Sequence, residues 1–75
     1  MYWDIVIYND DGDIFDTQQV NNKRLGSDVY NHAIEVLQDS NGDDDDEEYI
    51  YTFQVHLYKV YRNGNRSIIN KKLIT

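Results

Sequence analysis

A chain of 75 residues, 40% apolar and 28% charged, predicts one globular domain that buries about 60–65% of the surface its unfolded form exposes. That balance excludes wholesale disorder, a collagen-like repeat and a membrane span, and the absence of Cys excludes disulfides and thiolate metal sites. The net charge of −7 bears on partners more than on fold.

The opening MYWDIVIYND lacks the basic and long apolar regions of a secretory signal, which predicts a cytoplasmic protein. Trp3, Ile5 and Ile7 alternate with Tyr2, Asp4, Val6 and Tyr8, the pattern of a strand apolar on both faces and therefore central in its sheet. Asn9-Asp10-Asp11-Gly12-Asp13 is rich in turn formers and predicts a hairpin into a second strand over Ile14–Val20. Ser27 then reads as an N-cap after Gly26, with Asp28 suited to the positive end of a helix dipole. Val29, Tyr30, Ala33, Ile34 and Leu37 share one face over about three turns. Ser40-Asn41-Gly42 is a stop signal, and residues 39–48 (DSNGDDDDEE) read as a solvated loop because six consecutive carboxylates repel.

Residues 49–61 carry the strongest alternation, Tyr49, Tyr51, Phe53, Val55 and Leu57 against Ile50, Thr52, Gln54, His56 and Tyr58, a strand long enough to need a bulge or bend. Asn63-Gly64 marks a hairpin into a last strand over 67–74. A two-residue loop sets Ile69 opposite Tyr58 and Leu73 opposite Gln54. A three-residue loop with a glycine bulge pairs Val55 with Leu73 and Lys59 with Ile69, gathering Phe53, Val55, Leu57, Ile69 and Leu73 on one face. The second register is preferred because a one-residue slip moves the apolar set off the core. The resulting class is α+β: ββαββ, an antiparallel four-stranded sheet with one helix packed on one face. One helix leaves the other face to Tyr2, Val6, Tyr8, Ile50, Tyr58, Val60 and Ile68, a Tyr-rich patch suited to a partner or to a second copy in a homodimer.

Dedicated chemistry finds little support. Aligned as calcium loops of the EF-hand type, Gly12 puts Ile7 first and Gln18 twelfth, and Gly42 puts Leu37 first and Glu48 twelfth; both fail at the first ligand. No metal site and no cofactor is therefore expected. The only His are His32 and His56 and the only Ser are Ser27, Ser40 and Ser67, each with a structural role and none in a poised cluster, so catalysis is not expected.

Charge is divided along the chain. Residues 1–48 hold all 14 acids against Lys23 and Arg24, a net −12, whereas 49–75 hold Lys59, Arg62, Arg66, Lys71 and Lys72 and no acid, a net +5. Tyr58, Lys59, Tyr61, Arg62 and Arg66 interleave aromatics with cations, a second surface with the makings of a nucleic-acid module. The acidic remainder repels a polyanion, so no direct nucleic-acid binding is expected. The reverse polarity is the sharper reading: carboxylates presented where a DNA-binding protein expects phosphates. Two positions apart on an extended chain they lie about 6.7 Å from each other, close to phosphate spacing. The rows expected to bind the partner are Asp10, Asp11, Asp13 and Asp16, and Asp43, Asp44, Asp45, Asp46, Glu47 and Glu48.

With 8 Asn, 7 Tyr and one Ala, the composition leans on A/T-rich codons. Together with the size, the acidity and the lack of Cys and Pro, it resembles the small acidic phage-encoded inhibitors of bacterial defence and DNA enzymes, anti-CRISPR proteins and DNA mimics among them. That resemblance implies a non-enzymatic inhibitor acting in the host-cell cytoplasm on a nucleic-acid enzyme such as a Cas effector nuclease. The basic hairpin departs from a uniformly acidic mimic and fits a mixed target surface or a contact between two copies. An acidic interaction subunit is the competing reading.

Overall fold

A computed structural model describes residues 1–42 and 52–74 of the chain. Its elements are β1 (Tyr2–Tyr8), β2 (Ile14–Val20), α1 (Lys23–Gly42), β3 (Phe53–Val60) and β4 (Arg66–Ile74). The strands form one antiparallel sheet in the order β2-β1-β3-β4, with α1 on one face, an α+β fold. β1 is central, as its two-sided apolar alternation requires. Its Ile5 and Ile7 oppose Leu57 and Val55 of β3, and these four join Tyr30 and Ile74 in the buried cluster. Val29, Ala33, Ile34 and Leu37 pack against that cluster from the predicted helix face. Each fully buried aliphatic side chain contributes about 1.5–3 kcal/mol to folding.

Both hairpins close the same way. Asn9 N–H donates to the Asp13 carbonyl at 2.9 Å and Gly12 N–H to the Asn9 carbonyl at 3.0 Å, while Tyr61 donates to Asn65 at 2.8 Å and Gly64 to Tyr61 at 3.0 Å. Gly12 and Gly64 sit at φ 86° and 87°, the left-handed position that ends a three-residue loop and that a side chain strains.

Several expectations are corrected. The helix starts four residues before Ser27: Asn22 is the cap, its side-chain oxygen accepting the Arg24 N–H at 2.8 Å, and the first helical bond runs from Gly26 N–H to the Asn22 carbonyl. α1 also continues through residues 39–42, which are helix and not loop, for a total of 20 residues. A glycine stops a helix when it turns left-handed, and the described glycines with positive φ are Gly12 and Gly64.

The last hairpin does not take the preferred register. Its loop is closed by Tyr61 and Asn65, so Lys59 faces Ser67 and Tyr58 faces Ile68; Ile69 is then passed over, and Leu57 faces Asn70 and Val55 faces Lys72. Ile69 and Leu73, expected in the core, are 48% and 55% exposed, and only Ile74 of β4 joins it. β3 is shorter than the predicted strand, and residues 43–51, with Tyr49, Ile50, Tyr51 and the run from Asp43 to Glu48, lie outside the described residues. The irregularity expected within that strand lies on its partner. Both free edges carry such a bulge, at Phe15 and at Ile69, a device that blunts edge-to-edge pairing.

Candidate functional site

The division of charge along the chain becomes a division across the sheet. The β1–β2 hairpin and its approach to α1, residues 1–22, hold Asp4, Asp10, Asp11, Asp13 and Asp16 and no base; the described β3–β4 segment holds Lys59, Arg62, Arg66, Lys71 and Lys72 and no acid. Five negative charges therefore lie beside five positive ones. Because β1 runs antiparallel to β3, the Asp10 turn and the Arg62 turn occupy opposite ends, roughly 25–30 Å apart for strands of this length.

At the acidic end the chain is not extended. Asn9 Oδ1 accepts the N–H groups of both Asp11 and Asp13 at 3.0 Å, winding Asp10, Asp11 and Asp13 around one tight turn. They form an exposed acidic knob in place of the phosphate-spaced row. Asp16 stands apart from them, facing the helix side of β2 beside Phe15. Asp43, Asp44, Asp45, Asp46, Glu47 and Glu48 lie outside the described residues. Among the described residues, no three His, Asp or Glu side chains gather to hold a metal ion, and no helix is long and apolar enough to cross a membrane.

At the basic end two cations lie on rings. The Arg66 guanidinium sits 4.2 Å from the centre of Tyr58, and Lys59 Nζ sits 5.2 Å from that of Tyr61. The register places Tyr2, Asp4, Val6, Tyr8, His56, Tyr58 and Ile68 on the face away from α1. That face is less bare than its composition suggested: Val6 and Val60 are 4% and 5% exposed there, set low among longer side chains.

A chain of hydrogen bonds crosses this face. His56 Nε2–H donates to Gln54 Oε1 at 3.1 Å, which leaves Nδ1 to accept the Tyr58 hydroxyl at 2.8 Å, and the Tyr58 oxygen in turn accepts the Tyr8 hydroxyl at 3.2 Å. Partial burial pulls the His56 pKa below that of free histidine, with the Lys71 and Arg66 cations adding to the effect. Burial also raises the Tyr58 pKa, against the opposing Arg66 charge. Because His56 binds its proton less readily folded than unfolded, stability is full above about pH 6.5 and falls as the pH drops through the folded pKa. Urea unfolding of wild type against His56→Gln should show this component in wild type alone; parallel pH profiles would show that His56 does not titrate with folding.

The sequence did not reveal two features of the site, the hydrogen-bonded face and an apolar groove between α1 and β2 that Phe15 lines. The His56, Tyr58 and Tyr8 alternation could have signalled the first; nothing local signals the second. No protein-family model, curated protein or solved structure matches this chain.

Proposed function

We propose that this protein is a non-enzymatic inhibitor that binds a nucleic-acid-processing enzyme, a CRISPR effector nuclease foremost, by placing carboxylates in the enzyme's cationic groove. The observation that carries this reading is the exposed knob of Asp10, Asp11 and Asp13 with no base on its own hairpin, to which Asp43 through Asp46, Glu47 and Glu48 add six acids in sequence. Carboxylates held on a tight turn meet a basic groove without first being ordered, which favours both association rate and affinity. The basic half, set across the sheet, suits the acidic rim that borders such a groove or the contact between two copies, and the Tyr-rich face adds area.

The competing reading, a nucleic-acid module on the C-terminal hairpin, is disfavoured by one contact. Arg66 already covers a face of Tyr58, so a base stacks there only by displacing a cation–π pair.

The test is inhibition of a panel of purified Cas effector nucleases with and without neutralised acids. Changing Asp10, Asp11, Asp13 and Asp16 to Asn, and the run from Asp43 to Glu48 to its amides, should weaken binding by about tenfold or more, and raising salt should weaken wild-type binding in the same direction. Affinity indifferent to both changes sinks the mimicry; a gel shift with labelled RNA and DNA separates the competing reading.

A further inference from the structure

α1 is held over β1 and β3. Gly26 lies against Trp3 and Leu57, and Tyr30 is buried with Ile5, Ile7 and Val55. Four strands span about 15 Å between outer axes and a helix is about 10 Å wide, so one helix centred there leaves part of the sheet bare. On the β4 side the exposed row is polar, with Asn70 and Lys72 opposite Leu57 and Val55. On the β2 side Asp16 and Gln18 stand opposite Ile7 and Ile5, but the bulge adds Phe15 beside them.

There a groove of about 480 Å³ is floored by Ile7 and Phe15 and walled by Val29, Ala33 and Val36. Phe15 is the extra residue of the β2 bulge. Its ring meets Phe53 edge-on at 5.3 Å, yet Phe15 remains 61% exposed and Val36 47% exposed. The charged groups lining the groove are Asp16 and Asp28, with no Lys or Arg among the described residues there. An exposed aromatic beside unpaired-sign charge is the arrangement of an interface anchor pocket.

We propose that this groove takes an apolar anchor carried on a basic segment of the target: one aliphatic or aromatic side chain seated between Phe15 and Val36, flanked by Lys or Arg that meet Asp16 and Asp28. The proposal rests on the inhibitor reading and names the chemistry of the surface bound. A second copy is the poorer occupant, because a symmetric contact brings Asp16 and Asp28 against their own counterparts.

The experiment titrates isotope-labelled full-length protein with three synthetic peptides, an amphipathic Leu/Lys peptide, a Ser/Lys peptide of equal charge and a Leu/Glu peptide, and follows backbone amide shifts. The Leu/Lys peptide should move Phe15, Asp16, Ala33 and Val36. The Ser/Lys and Leu/Glu peptides should bind at least about tenfold more weakly, as the loss of one buried anchor or of charge matching requires. Phe15→Ser, at an exposed position that leaves the core intact, should erase the preference for Leu/Lys over Ser/Lys.

Shifts confined to the Asp10 turn, binding of the Leu/Lys peptide no tighter than that of the Ser/Lys or the Leu/Glu peptide, or a dimer in sedimentation that Phe15→Ser dissolves would each overturn the groove assignment. The inhibitor reading fails separately: nuclease inhibition lost on neutralising the acids but kept in Phe15→Ser removes the groove alone, whereas inhibition indifferent to the acids removes the reading beneath it.

Discussion

Ile5→Ala should cost about 3–4 kcal/mol of folding stability, roughly a third to most of what a domain of this size possesses. Ile5 is 2% exposed on a central strand, between Leu57 of β3 and Gln18 of β2, with Tyr30 in the same cluster. Removing three carbons there loses their transfer free energy and leaves a cavity that neighbouring strands, pinned by backbone hydrogen bonds, close only partly. The midpoint of thermal unfolding should fall by about 12–32 °C, at about 4–8 °C per kcal/mol for a domain of this length. Ile14→Ala is the matched control: the same side-chain change at a 63% exposed site of an edge strand should cost under about 1 kcal/mol. Equal costs at the two sites would mean that the core is not where the alternation of β1 and β3 puts it.

That alternation was the most legible feature of the chain. β1 is apolar on both faces and β3 alternates between an apolar face under α1 and a mixed one, and that period of two survives whatever packs on them. The bounds of β2 were equally legible, since Asp11-Gly12 fixes where the turn ends. The helix start was misread because Ser27-Asp28 is a stronger local signal than Asn22, and because Gly26 looks like a boundary. Gly26 in fact lies one turn before Tyr30 on the same face and belongs to the helix–sheet contact. Register in the last hairpin was misread for a different reason. Hydrophobic pattern selects register only where both strands face a core, and most of β4 does not: eight of its nine residues are exposed, so loop closure and the Ile69 bulge decide the pairing. In the candidate site, the acidic residues were legible one by one but not their arrangement. The uncharged Asn9 makes the difference: its amide oxygen accepts two N–H groups and curls the turn, while the carboxylates of its neighbours stay exposed. The groove beside Phe15 depends on where α1 sits across the sheet, which no short window of sequence encodes.

The lateral position of α1 has its own test in Gly26. Glycine costs a helix about 1 kcal/mol relative to alanine, so propensity alone predicts that almost any replacement stabilises. Space predicts the opposite. A Cβ at Gly26 would stand 3.2 Å from the Trp3 Cβ and 3.5 Å from Leu57 Cδ1, tight against one strand atom that cannot swing away. Gly26→Ala should therefore fall within about 1 kcal/mol of wild type, its propensity gain offset by crowding. Gly26→Val adds two methyl groups to the same contact and should lose about 2–3 kcal/mol by urea unfolding followed through Trp3, the single tryptophan. A stabilised Gly26→Val would mean that helix and sheet do not approach closely here. With a looser approach, α1 is free to shift towards β2 and cover Phe15 itself. The close contact at Gly26 is thus what holds the helix over β1 and β3 and leaves Phe15 exposed.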